Sequence, residues 1–251
     1  MTIHVLCNTR TLLLLSLIAV AWLGLGDVAQ SRQEPPGNTL TAAEKAEGWK
    51  LLFDGKTTEG WRKYRGRKVG DAWQVADGAL VLDHSKGKDG GDIVTNEQFD
   101  NFELAFDWKI SKGGNSGVMY RVTEDNDAPY FSGPEYQLLD NRGHDDGKST
   151  LTSAGSAYAV YPPSKDVTKP IGEWNQSKIV VNGNHVEHWL NGEKIVSYEL
   201  GSEDWLKRIK NSKWKDVPTY GKAPKGHIDL QDHGDKVAFR NIKIRQLTTG
   251  K

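Results

Sequence analysis

Apolar and polar residues alternate in short runs over most of this 251-residue chain. The segment 102–110 shows it most clearly, with apolar side chains at every second position: Phe102, Leu104, Phe106 and Trp108. A period of two is the spacing at which a strand presents one face to a core. We therefore expect a half-buried β-strand here, and similar strands along the rest of the chain.

Tight turns separate several of these runs. Asp77-Gly78 divides AWQVADGALVLD, while Gly183-Asn184 and Asn191-Gly192 divide SKIVVNGNHVEHWLNGEKIVSYEL. Asp-Gly and Asn-Gly pairs favour the two-residue turns of β-hairpins. The first segment is thus predicted to be a hairpin, and the second a three-stranded meander.

Two helices interrupt the strands. Thr41 and Glu44 have the spacing of a capping box, which predicts a short helix ending at Gly48. A later helix is expected from Ser202 to about Lys213, with Ser202 as its N-cap. Its apolar stripe comprises Trp205, Leu206 and Ile209.

About a dozen strands without a strand–helix–strand rhythm indicate an all-β fold, a two-sheet antiparallel jelly-roll sandwich with one late helix. We assign residues 1–29 to a signal peptide, 30–47 to a linker and the first helix, and 48–247 to the sandwich. No internal repeat is present in the sequence.

The leader assignment rests on the run TLLLLSLIAVAWLGLG at 11–26, which follows Arg10 and precedes Asp27. This run is short for a membrane span and typical of a secretory h-region. Cleavage after about Ala29 would export the protein to the periplasm or the medium, without stable membrane insertion. An uncleaved anchor is the alternative.

Composition narrows the partners and the chemistry. The chain has 33 basic and 33 acidic residues, and removal of the leader with Arg10 and Asp27 leaves 32 of each. A neutral balance of this kind gives no positive electrostatic field that would attract nucleic acid. The single cysteine, Cys7, lies in the leader, so cysteine nucleophiles and disulfides are excluded from the mature chain. Oligomeric state is left open by these patterns.

Three strands place polar residues on alternate positions, and each set should share one sheet face. The sets are Asn115, Gly117, Met119 and Arg121; Glu135, Gln137 and Leu139; and Asp229, Gln231 and His233. Carboxylate, amide, imidazole and guanidinium groups together can bind the hydroxyls of a sugar. We interpret this face as a polyol site.

A solvated outer face is the plain alternative for alternating strands. These three segments contain no lysine, however, and glycines flank them, including Gly114 and Gly133. Both features favour a ligand site. The segment around His144, Asp145 and Asp146 is interpreted as a solvated loop rather than a metal cluster.

At these motifs the sequence resembles the DUF1080 family, also called the 3-keto-disaccharide hydrolase domain family. The matching pieces run in order from Gly48 to Arg245 and include GWKLLFDGKTTEGW, GGNSGVMYR, GPEYQLLDN and KGHIDLQDHGDKVAFRNIKIR. The resemblance implies a concanavalin A-like sandwich and cleavage of glycosides already oxidised at C3 of a sugar ring.

A ketone at C3 acidifies the C2 hydrogen, so a base can start an elimination that expels the C1 substituent. Glu135 or His233 is expected to be this base, and Arg121 is expected to orient the ring or to stabilise the enolate oxygen. Tyr158 is a candidate proton donor to the leaving oxygen, although packing is an equal possibility for it. Hydroxyl binding is assigned to Asn115, Gln137, Gln231 and Asp229.

A non-catalytic carbohydrate-binding module and an envelope scaffold remain open as other functions, since one fold serves many. No cofactor is implied with certainty. A divalent metal that polarises the ketone would also fit this chemistry, with Glu135, Asp229 and His233 as candidate ligands.

Overall fold

The computed structural model describes residues 37–247 of the chain. The predicted leader and most of the linker that follows it lie outside the described residues. Within the described part, no helix is long and apolar enough to cross a membrane.

Within residues 37–247, thirteen β-strands and two α-helices alternate with short 3-10 turns. The helices are α1 (Ala42–Ala46) and α2 (Glu203–Lys210). The strands are β1 (Lys50–Leu51), β2 (Trp61–Lys63), β3 (Trp73–Ala76), β4 (Ala79–Leu82), β5 (Ile93–Thr95), β6 (Phe102–Ile110), β7 (Asn115–Val122), β8 (Glu135–Leu139), β9 (Asn175–Asn182), β10 (His185–Leu190), β11 (Glu193–Glu199), β12 (His227–Leu230) and β13 (Val237–Gln246). The 3-10 turns are Pro129–Phe131, Asp145–Lys148 and Thr150–Thr152.

The strands form two antiparallel sheets. The larger has eight strands in the order β11-β10-β9-β6-β13-β4-β3, with β1 also paired to β13. The smaller has five strands in the order β2-β5-β12-β7-β8. The predicted all-β, two-sheet antiparallel sandwich is confirmed.

Apolar side chains from both sheets fill the space between them. All four apolar residues of β6 that were predicted to face inward are buried: Phe102, Leu104, Phe106 and Trp108. From the smaller sheet, Val118, Tyr136 and Leu230 join the same core. The opposite face of the smaller sheet is therefore turned away from the core, and its polar residues lie there.

The predicted turns and caps are present. Asp77 and Gly78 both have positive φ, at 51° and 72°, as a tight hairpin between β3 and β4 requires. The Thr41 side chain accepts a hydrogen bond from the Glu44 backbone amide, and the Glu44 carboxylate accepts one from the Thr41 backbone amide. The two bonds complete the capping box of α1.

Helix α2 begins as predicted but buries less of its surface. Ser202 caps it by accepting from the Trp205 amide. Of its apolar stripe, Trp205 is buried and Ile209 packs partly buried against the core, whereas Leu206 is 56% exposed. The helix is short, and the chain leaves it as a loop toward the smaller sheet.

A column of five stacked aromatic rings anchors α2 to the sandwich. Its members, in order, are Tyr161, Tyr198, Trp205, Tyr220 and Trp214. Successive centroids lie 4.8, 5.3, 5.9 and 4.4 Å apart with nearly parallel planes. The column fixes Trp214, which matters because Trp214 borders the polar face of the smaller sheet.

Candidate active site

The polar residues of β7, β8 and β12 lie on one face of the smaller sheet. Strand register places Met119 opposite both Asp229 and Glu135, and Gly117 opposite Gln137. Residues directly opposite each other in a sheet point to the same side. These side chains therefore lie on the face directed away from the core.

This face is covered, not solvated. Glu135 is only 4% exposed, and Asn115, Gln137, Asp229 and Gln231 are buried as well. Later segments of the chain cover the face and leave a cavity of about 260 Å³. Its walls are formed by Asn115, Tyr130, Glu135, Gln137, Tyr158, Lys213, Trp214, Gln231 and His233. Six of the eight predicted site residues thus meet in one cavity.

Glu135 is the carboxyl group of this cavity. Burial raises its pKa to about 8 from an ordinary value of 4.5, since the charged form loses its hydration. Gly117 leaves the room that the carboxyl occupies, because a Cβ there would collide with Oε1 and lie 2.9 Å from Cδ. Lys213 opposes this rise in pKa, whereas Asp92 and Asp146 add to it.

Three amide side chains present unsatisfied oxygens at the cavity. Asn115 Oδ1, Gln137 Oε1 and Gln231 Oε1 are buried, and none has a hydrogen-bond partner among the described residues. Buried polar atoms rarely lack partners, and each costs roughly 1–3 kcal/mol when it does. Acceptors that converge in this way match the hydroxyl donors of a bound sugar.

Tyr158 and His233 lie at the same cavity. The Tyr158 hydroxyl donates to Asp146 Oδ2 over 3.0 Å, and burial together with this carboxylate raises the pKa of the hydroxyl. His233 is exposed and faces His144 with ring centroids 6.3 Å apart. His144, which the sequence placed in a solvated loop, thus lies beside the cavity residue His233.

Arg121 does not belong to the cavity, which corrects the sequence prediction. Strand β7 carries one extra residue between Met119 and Val122 relative to β12, and Arg121 takes a positive φ of 54° at this bulge. The insertion shifts the period of two, so the side chain leaves the polar face. Its guanidinium donates instead to the carbonyls of Asp100 and Gly183.

Asp229 also lies apart from the cavity walls. It is fully buried, and neither carboxyl oxygen has a hydrogen-bond partner among the described residues. Burial and the nearby Asp92 raise its pKa well above the ordinary range, which favours the protonated form of this carboxyl. The direct contact with substrate that was predicted for Asp229 is therefore not supported; it lies beside the site.

The carboxylates do not assemble into a metal centre. Across residues 37–247, no group of three or more His, Cys, Asp or Glu side chains is arranged to hold a metal ion. The trio offered by the sequence, Glu135, Asp229 and His233, does not fit a divalent cation.

Known proteins match this chain over most of its length. The family model of the 3-keto-alpha-glucoside-1,2-lyase-like domain matches residues 48–245. The chain belongs to this family.

Its relatives include a 3-keto-disaccharide hydrolase from Bacteroides thetaiotaomicron, 38% identical over 230 residues that cover 80% of this chain and 79% of that protein. A crystal structure of a candidate glycosyl hydrolase from Parabacteroides distasonis is 42% identical with a TM-score of 0.77. The match covers 85% of this chain and all of that one. A second structure from the same species is 29% identical with a TM-score of 0.62, over 79% of this chain and 99% of that one.

Three cavity residues of this family member escaped the sequence analysis. Lys213 and Trp214 follow α2 in the loop NSKWKD, and Tyr130 lies in the 3-10 turn after β7. A period of two identifies residues that share a strand face, but it carries no information about loops that fold over that face. The Trp next to a Lys in a short polar loop was the one available signal.

A larger groove of about 780 Å³ lies elsewhere, at the ends of β6 and β8. Its floor includes Trp108, Ile110 and Leu139, and its rim includes Lys112 and Arg142. None of the unsatisfied amide oxygens lines it. The smaller cavity, which collects those atoms and Glu135, is the better candidate active site.

Proposed function

We propose that this protein cleaves 3-keto-glycosides, including 3-keto-disaccharides, by abstracting the C2 proton, eliminating the C1 substituent and hydrating the product. The observation that carries the proposal is Glu135, a buried carboxyl with a raised pKa at a cavity lined by unsatisfied amide oxygens. Membership in a lyase-like family with a relative named as a hydrolase supports the same chemistry, because elimination followed by hydration amounts to hydrolysis.

The reaction needs no change in oxidation state. A base takes the proton from C2, and the electrons of that C–H bond form an enolate whose charge lies on the C3 oxygen. The enolate then restores the C3 carbonyl while C1 and C2 become doubly bonded, and the C1–O bond breaks. The leaving oxygen takes a proton. Water adds its hydroxyl to C1 and its proton to C2, which gives the free 3-keto sugar.

The sequence analysis named either Glu135 or His233 as the base. Glu135 is the stronger of these two candidates. A carboxylate that is stripped of water is a stronger base than an exposed one, and the pKa of about 8 reflects this. His233 is exposed, next to His144. We assign Glu135 to C2 and place His233 near the leaving group.

The leaving oxygen needs a proton donor. Tyr158 directs its only hydroxyl proton to Asp146, and its raised pKa makes it a weaker acid. These features favour His233 over Tyr158 for proton transfer. Tyr158 then serves as a wall of the cavity.

The amide side chains supply ring recognition. Asn115, Gln137 and Gln231 offer acceptors for sugar hydroxyls, and Gln137 is held in place because its Nε2 donates to the Thr152 carbonyl. A cavity of about 260 Å³ is small for a ligand site, so we assign it to the oxidised ring alone.

The test is to incubate the protein with 3-keto-trehalose and with trehalose, with and without a chelator, and to measure released glucose. We expect glucose from the keto sugar alone and the same rate with chelator. Glu135→Gln should reduce kcat by at least about 10²-fold while melting temperature is retained. Saccharide binding without any turnover would favour the carbohydrate-binding module instead.

We also propose that the protein is exported after cleavage near Ala29, on the strength of the apolar leader. Intact-mass analysis of protein recovered from outside the cytoplasm should show a chain without residues 1–29. A mass that includes Thr2 would contradict cleavage.

A further inference from the structure

Lys213 is the lysine of the cavity wall, in the loop that follows α2. Its ammonium lies 4.4 Å from the centroid of the Tyr158 ring and 4.6 Å from that of Trp214. Contacts of this kind are attractive because the face of an aromatic ring carries partial negative charge. The two rings thus hold the ammonium at the cavity although the residue itself is partly open to solvent.

The rings beneath Lys213 are fixed in turn. Trp214 Nε1 donates to the Tyr158 carbonyl over 3.1 Å, and the Trp214 ring stacks on Tyr220 at the end of the aromatic column. The backbone amide of Tyr158 donates to the Glu135 carbonyl over 3.0 Å. The platform for the ammonium is therefore tied directly to the strand that carries Glu135.

Lys213 has no carboxylate partner within the described residues. Elsewhere in the sandwich, carboxylates compensate the charge of some lysines, as Asp145 does for Lys148 and Asp83 for Lys236. An ammonium held by aromatic faces keeps its charge available, whereas a carboxylate partner would compensate it. Lys213 is also the charged side chain that acts most strongly on Glu135, and it favours the ionised carboxylate.

We propose that Lys213 is a catalytic residue that stabilises the oxyanion formed at C3 when Glu135 removes the C2 proton. This rests on the proposed function. C3 is bonded to C2, so a cation that lines the same cavity as the base is placed within reach of the oxygen that gains the charge. Donors placed where negative charge develops are commonly worth about 10²–10³ in rate. Lys213 would thus perform the role that the sequence assigned to Arg121.

The test compares Lys213→Met, which keeps length and removes charge, with Lys213→Arg, which keeps the charge. Lys215→Met, two residues along the same loop, is the matched control. With 3-keto-trehalose we expect kcat to fall about 10²–10³-fold in Lys213→Met, less than about tenfold in Lys213→Arg, and not at all in the control. The variants should have melting temperatures close to that of the wild type, because the Lys213 side chain is exposed.

The pH profile supplies a second readout that a merely structural role would not change. Removal of the ammonium should move the rising limb of kcat/KM to higher pH, because Glu135 then ionises less readily; Lys213→Arg should leave the limb in place. Wild-type kcat and an unmoved limb in Lys213→Met would overturn the inference while the proposed function stands. If the wild-type protein releases no glucose from 3-keto-trehalose, both fail.

Discussion

At the residue scale, burial sets the chemistry of Glu135. Its carboxyl lies over Gly117, among amide oxygens and away from bulk water. The sequence could predict that Glu135, Asn115, Gln137 and Gln231 share a face, since parity along a strand follows from the backbone alone. It could not predict Lys213, whose position depends on how a loop returns to the sheet.

The first prediction concerns the close approach at Gly117. Gly117→Ala should lower kcat by at least about tenfold, because the added methyl displaces the carboxyl of Glu135 from its position. Melting temperature should fall only modestly, since the close atoms Oε1, Cδ and Cγ all belong to the one side chain of Glu135 and none to the backbone. Gly37→Ala is the control, because its Cβ would make only an ordinary contact of 3.6 Å with Asn241. Full activity in Gly117→Ala would argue against Glu135.

The second prediction concerns pH and activity. If Glu135 is the base, it must be ionised, so kcat/KM should rise as pH increases through about 8. The rising limb should disappear in Glu135→Gln, whose residual rate should be flat in this range. A limb that falls above pH 8 would instead mark Glu135 as a proton donor.

Stability should show the opposite trend with pH. The pKa of Glu135 is raised in the folded state, so between about 4.5 and about 8 the unfolded chain releases a proton that the folded chain keeps. The free energy of unfolding therefore falls as pH rises through this window. Thermal unfolding should show Glu135→Gln gaining stability over wild type more strongly at pH 8.5 than at pH 5. An equal difference at both pH values would contradict a buried, proton-binding carboxyl.

At the element scale, the bulge in β7 decides which side chains reach the site. Strict alternation predicted that Arg121 would lie with Asn115 and Gly117, but one extra residue after Met119 reverses the parity. A bulge inserts one extra residue into a strand and so shifts its pairing register by one. Here the residue with positive φ is not a glycine, so the sequence carries no clear signal of the bulge. The hairpin turns, in contrast, were predicted correctly from the residue pairs Asp77-Gly78 and Asn191-Gly192.

The third prediction separates stability from catalysis at this bulge. Arg121→Met should destabilise the fold by about 1–3 kcal/mol, because the carbonyls of Asp100 and Gly183 lose their donor. The folded variant should keep kcat close to wild type, since the guanidinium lies outside the cavity. Chemical denaturation and steady-state kinetics on one preparation measure both quantities. Lost turnover with unchanged stability would return Arg121 to the active site.

At the scale of the whole molecule, the sandwich supplies a rigid sheet and the loops supply the enclosure. The sequence predicted most of the strands and the fold class, because strands and turns are encoded locally. The sequence did not predict the order of the strands in the sheets. In the structure, β13 pairs with β6 and β4, and β12 lies between β5 and β7. These pairings join distant segments, and the aromatic column that carries Trp214 to the cavity is equally long-range.

This arrangement explains how an outer sheet face becomes an enclosed cavity, the candidate active site. One face of the smaller sheet packs on the core, and the other is closed over by Tyr130, Tyr158, Lys213 and Trp214. The enclosure buries Glu135 together with amide oxygens that have no hydrogen-bond partner among the described residues. The loops thus bury the polar face of the smaller sheet, although the alternation of polar and apolar residues along its strands would by itself predict a solvent-exposed face.

The central claim is that glycoside cleavage begins with removal of the C2 proton by Glu135. The most direct measurement compares cleavage of 3-keto-trehalose carrying hydrogen or deuterium at C2 of the oxidised ring, under saturating substrate and with single-turnover controls. The account predicts that deuterium slows cleavage by wild-type protein and that Glu135→Gln slows cleavage of both forms by at least about 10²-fold. Equal rates for the two isotopes in single turnovers, or undiminished cleavage by Glu135→Gln, would contradict it.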